Sequence, residues 1–125
     1  MVSAIATRVA LAFAGGCVGG ALRIGLGQVF PDADGIPWTL LAINLVGSFT
    51  IGIVGVLWGA RAHLWPLLGP GLLGGFTTFS AIAAMAWTTA VGPGMSFTIL
   101  AASLIVCTLA AKAGVYVAEV RKGAL

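Results

Sequence analysis

Gly74-Gly75-Phe76-Thr77-Thr78-Phe79-Ser80 lies midway along a hydrophobic run from Leu64 to Val91, and how it is read decides what that run is. Two glycines beside two threonines are poor helix material: glycine loses the most backbone entropy, and threonine is stiff at χ1 and offers the backbone a competing hydroxyl. Inside a bilayer such a stretch is tolerated when it interrupts the helix and the freed backbone groups find other partners. A bound cation is one such partner for the carbonyls. The expectation is a span broken near its middle.

The rest of the chain fixes the surroundings of that break. Of 125 residues, 60% are hydrophobic and 7% charged, whereas a soluble domain carries roughly a quarter charged residues. Lipid must therefore be part of the solvent. Four apolar runs are expected as transmembrane helices in a single domain covering 1–125, at about 7–30, 37–60, 64–91 and 95–118. Each is roughly 36–42 Å long at the helical rise, enough to cross a hydrocarbon core with some tilt. Pro31-Asp32-Ala33-Asp34-Gly35 separates the first two, Arg61-Ala62-His63 the next two, and Gly92-Pro93-Gly94 the last two. Transmembrane strands would be shorter and would alternate in polarity, so the fold class is an all-α membrane protein. The first residues resemble a signal peptide, but the apolar pattern continues through Arg23 to Phe30 without a cleavage-like break.

Charge placement sets the topology. Arg8, Arg61, Lys112, Arg121 and Lys122 fall on the side of the termini, and Asp32 and Asp34 on the other. The positive-inside rule places the termini in the cytoplasm. The six basic residues form no run, which argues against a nucleic-acid partner. Cys17 and Cys107 have no metal-ligand spacing and read as small residues in apolar surroundings. Glycines recur at four-residue spacing (Gly15/Gly19, Gly16/Gly20, Gly55/Gly59, with Ser48/Gly52). Small residues so spaced let helix backbones approach where hydrophobicity cannot drive association.

Polar residues inside spans carry the functional signal, because each costs free energy in lipid unless it faces protein or water. Arg23 lies about 10 Å below the end of its span by the helical rise; it either snorkels to the headgroups or faces a polar vestibule that attracts anions. Asn44 and Ser48 share one face of the second span, one turn apart. No nucleophile is paired with a base inside the membrane, so an enzyme is not expected. A proton-coupled exporter of the small multidrug type is disfavoured, because it needs an acid within a span and the four spans hold no aspartate or glutamate.

Three segments together resemble the Fluc/CrcB fluoride channels: Gly16-Cys17-Val18-Gly19-Gly20-Ala21-Leu22-Arg23, Asn44-Leu45-Val46-Gly47-Ser48-Phe49, and Gly74 through Ser80. The resemblance implies an antiparallel dimer in a prokaryotic cell membrane, exporting cytoplasmic fluoride passively through pores at the subunit interface. It implies a structural sodium ion at the dimer centre, not transported, held by the backbone carbonyls of Gly74 and Thr77 from both chains. Phe79 would line the pore with its ring edge, Asn44 would donate amide hydrogens to fluoride, and Arg23 would sit near a pore entrance. Hydroxyls of Thr78, Ser80 and Ser103 are further donors. Two positions depart from the family pattern: Ile82 stands where a second phenylalanine is usual, and Ile99 where a tyrosine is common. The one-sided charge is a third departure, since two oppositely inserted copies of one chain should show balanced charge. It points to a pairing with a paralogous subunit rather than with itself. A non-conducting scaffold partner of such a channel is the alternative.

Overall fold

The computed structural model describes residues 2–32, 35–59, 63–88 and 92–123, with the backbone alone for 85–88. The expected span ends at Ala60 and Val91, and the side chains of Asp34 and Arg61, lie outside these described residues. Among them the structure is all-helical, with helices α1 (Val2–Val29), α2 (Trp38–Leu57), a π-helical segment π1 (Leu67–Leu73), α3 (Gly74–Phe76), α4 (Phe79–Thr88) and α5 (Pro93–Gly123). Four stretches are long and apolar enough to cross a membrane: Val2–Val29, Trp38–Leu57, Leu67–Ala84 and Pro93–Gly123. The chain is a multi-pass membrane protein, and its third span is broken, as the glycine-threonine stretch requires.

The links are built by side chains that replace missing helix bonds. After α1, the Asp32 carboxylate accepts the Thr39 N–H at 3.0 Å, and the Thr39 hydroxyl donates to the Phe30 carbonyl at 2.7 Å. Helix α2 is thus capped from the preceding turn, where Gly35 supplies a φ of +79°. Its far end closes on Gly59, at φ +66°, the left-handed position favoured just past a helix. Near that end the Lys122 ammonium of α5 donates to the Val56 carbonyl, a cation placed against a helix C-terminus.

The spans pair out of sequence order. Helix α1 packs against π1 and α3, whereas α2 lies along α5. Glycine explains both pairings. A Cβ on Gly15 would overlap the Leu67 carbonyl oxygen, and one on Gly19 the Leu72 carbonyl oxygen. Across the second pair, Gly52 lies against the Ala111 carbonyl and Gly114 against that of Phe49. Backbone meets backbone at each point, so little interior is left to fill. The large apolar side chains fully or nearly buried are correspondingly few, chiefly Ile43, Leu73 and Ile82, while Phe13, Leu22, Phe97, Ile105 and many others face outward.

The third span departs from regular helix twice. Pro70 sits inside π1 and has no N–H to give to the preceding turn. The turn widens there, and the Gly74 N–H reaches back five residues to the Gly69 carbonyl. Three residues later the chain opens altogether, with Thr77 extended at φ −85°, ψ 147°.

Candidate functional site

At the opening, Thr77 and Thr78 belong to no helix, and the bonds that a continuous helix would make are rerouted one by one. The Thr78 N–H, which would serve the Gly74 carbonyl, donates instead to Asn44 Oδ1 at 2.7 Å. The Ala81 N–H, which would serve the Thr77 carbonyl, donates to Thr78 Oγ1 at 3.2 Å. The Gly75 carbonyl accepts from Arg23 Nε at 3.3 Å. Among the described residues, the carbonyl oxygens of Gly74 and Thr77 therefore lose their helical donors and gain no others. Two bare carbonyl oxygens suit a hard cation with oxygen ligands.

Asn44 braces the opening. Besides accepting the Thr78 N–H, it donates from Nδ2 to the Thr78 carbonyl at 2.7 Å, so both ends of its carboxamide engage one peptide unit. The residue is 6% exposed, and these bonds are its compensation for burial in a span. One Nδ2 hydrogen is left for a ligand. Gly47, one turn further along α2, lies against the Thr77 methyl and allows the close approach the brace needs.

A cleft of about 190 Å³ opens beside the brace, lined by Asn44, Ser48, Thr77, Thr78, Phe79, Ser103, Leu104 and Cys107. It gathers four of the six expected pore residues: Asn44, Thr78, Phe79 and Ser103. Ser80 adjoins them, its hydroxyl 3.2 Å from that of Thr78. Phe79 is 54% exposed, its ring turned to the outside of the chain. Arg23 does not line this cleft; half-buried, it donates from its guanidinium to the Gly75 carbonyl of the third span. Ile82, at the position of a second family aromatic, is 0% exposed. Ile99 lies in a separate apolar groove of about 510 Å³ between α2 and α5, which also touches Ser103 and Cys107.

The hydroxyls divide into two sets. Thr7, Thr50, Thr98 and Thr108 each donate to the carbonyl four residues back, at 2.7–3.0 Å, and so are satisfied by their own helices. Ser103, only 8% exposed, makes no such bond among the described residues. The sequence marked Ser103 only as a further donor, placed Ser48 on one face with Asn44 without a pore role, and left Cys107 as a small residue in apolar surroundings. The spacing Ser103-x-x-x-Cys107, mirroring Asn44-x-x-x-Ser48, was the available signal that both pairs line one face.

Comparison with known proteins shows the family to which the chain is similar. The family described as "CrcB-like protein, Camphor Resistance (CrcB)" matches residues 10–115. A "Fluoride-specific ion channel FluC 1" of Cutibacterium acnes is 44% identical over 82 residues, covering 59% of this chain and 57% of the relative. A "FluC 2" of Streptomyces avermitilis is 40% identical over 80 residues, covering 60% and 51%. A FluC protein of Thermus thermophilus is 42% identical over 83 residues, covering 60% and 64%. In each the matched stretch is less than two thirds of the relative's length.

Proposed function

Since the chain belongs to the CrcB-like family, we propose that it is a subunit of a fluoride-selective channel that lets cytoplasmic fluoride leave the cell by passive electrodiffusion. The observation that carries this reading is the braced opening in the third span, with its polar cleft half-way along an otherwise apolar helix. Fluoride is small and strongly hydrated, so a path for it must replace water with several close donors and still release the ion. In this reading the remaining Asn44 Nδ2 hydrogen, the hydroxyls of Thr78, Ser80 and Ser103, and the positive edge of the Phe79 ring supply successive weak sites. Arg23 raises the anion concentration nearby.

The exposed Phe79 ring and the one-sided cleft leave half of the path to a second chain, which supports an antiparallel dimer. A sodium ion seated by the bare carbonyls of Gly74 and Thr77 from both chains would neutralise the opened backbone at that interface. The bias of Arg8, Lys112, Arg121 and Lys122 toward the ends of α1 and α5 that carry the termini favours cytoplasmic termini in a cell membrane, and a paralogous partner inserted the other way.

Fluoride efflux from liposomes, followed with a fluoride electrode, tests the function. Co-reconstitution with the oppositely biased paralogue is expected to give flux that the lone chain lacks; robust flux from the lone chain would defeat the heteromeric part of the proposal. A scaffold role is favoured by one observation only: Ile82 is packed inside the chain and offers no aromatic edge to a path.

A further inference from the structure

Two cavities meet on one face of α5. Ser103 and Cys107 line the polar cleft of about 190 Å³ beside the break, and they also line the apolar groove of about 510 Å³ between α2 and α5. Among the described residues these two alone line both. The groove extends to Trp38 and Met95, in the first turns of α2 and α5. A small apolar molecule that enters at that end of the spans reaches the polar cleft beside Cys107.

The sulfur has company there. Cys107 is half-buried, and Ser103, one turn earlier on the same helix, has its Cβ about 5–6 Å away by helical geometry. Ser103 is 8% exposed and has no described hydrogen-bond partner, although Thr98 and Thr108 on the same helix each donate to the carbonyl four residues back. A buried hydroxyl left without a bond calls for an occupant in the space it lines. Among the described residues no cluster of metal-ligating groups includes the thiol, whereas a covalent bond to sulfur needs no second ligand.

We propose that Cys107 is a modification site: its thiol takes small neutral thiophilic reagents that enter along the apolar groove, and the group left on sulfur fills the polar cleft. The consequence for transport rests on the fluoride reading, since a filled cleft stops the ion. With methyl methanethiosulfonate the thiol gives its proton to solvent, and the thiolate attacks the sulfenyl sulfur. A sulfur–sulfur bond forms, the sulfur–sulfonyl bond breaks, and methanesulfinate leaves with the electron pair. A methylthio group stays on Cys107 until a reducing thiol removes it by the reverse exchange. Charge sets the selectivity. Apart from Ser103 and the thiol itself the groove is lined by apolar side chains, so a cationic trimethylammonium-ethyl methanethiosulfonate meets a desolvation cost that the neutral reagent does not.

Cys17 is the other cysteine of the sequence; it is exposed on α1 and lines neither cavity. In the reconstituted Cys17→Ser assembly, methyl methanethiosulfonate is expected to label Cys107, read by peptide mass spectrometry, and to remove nearly all of the fluoride efflux measured before treatment. Dithiothreitol is expected to restore both. The cationic reagent at the same dose is expected to leave Cys107 unlabelled, and Cys107→Ser to keep its own untreated efflux under the neutral reagent.

Should Cys17→Ser fail to assemble, the wild-type assembly decides, because the two cysteines fall in different peptides. An unlabelled Cys107 in an assembly that carries fluoride overturns the site and leaves the channel reading standing. Labelling by both reagents alike overturns the groove as the route of entry, and labelling with unchanged efflux overturns the block. A labelled Cys107 in an assembly that carried no fluoride before treatment would uphold the site and sink the channel.

Discussion

Asn44 commits both ends of its carboxamide to the Thr78 peptide, at 2.7 Å each, so replacing it disturbs the opening before it disturbs any ion. Asn44→Ala leaves a buried N–H and a buried carbonyl unpaired, and is expected to destabilise the fold by about 1–3 kcal/mol. Asn44→Asp sets a carboxylate oxygen against the Thr78 carbonyl oxygen and should cost at least as much, along with most of the flux. Denaturant titration in detergent beside liposome efflux checks both; a variant that loses flux at full stability would show that the brace is dispensable. Phe79→Ile should separate the two measures the other way, because the ring is 54% exposed: stability stays within about 0.5 kcal/mol of wild type while flux falls. The sequence made Asn44 and Phe79 legible as polar and aromatic residues out of place in lipid. It could not disclose the brace, which joins residues 34 positions apart, nor the complete burial of Ile82. That burial depends on how α4 packs, a matter on which spacing within one helix is silent.

At the level of helices, the glycine rows were readable as packing faces, but not which row meets which helix. Gly15 and Gly19 abut the third span, whereas a Cβ on Gly20 would meet nothing within 4 Å. Gly19→Ala is therefore expected to destabilise the chain by about 1–3 kcal/mol through overpacking against immovable backbone, and Gly20→Ala to leave its stability unchanged. Equal effects in a denaturant titration would mean that α1 is rotated from the position described here. The break itself was legible because its cause is local: Gly74, Gly75, Thr77 and Thr78 each weaken a helix by their own chemistry. The widened turn at Pro70 is also local in cause, yet a proline in a membrane helix can kink, tighten or widen it. Composition does not choose among these, and the Gly69–Gly74 bond does.

For the whole molecule, composition pointed to a membrane architecture, since a chain with 7% charged residues needs lipid as part of its solvent. What it left open is the arrangement of spans in pairs, α1 with the first half of the third span and α2 with α5. If sodium seats on the carbonyls of Gly74 and Thr77, replacing it by N-methyl-D-glucamine should lower the unfolding midpoint of the assembly, with lithium or potassium restoring it only partly. An unchanged midpoint would remove the cation from the account. The pairing also bears on biogenesis. As the chain leaves the ribosome, the first hairpin of spans contains no glycine-matched couple, and in the second only α4 meets α5. Span 1 must wait for span 3, and span 2 is held without its mate until α5 has been made. The Gly52 and Gly114 contacts can close only after α5 has been made, so a nascent chain halted near residue 90 would present an open backbone furrow to whatever insertase or chaperone attends it.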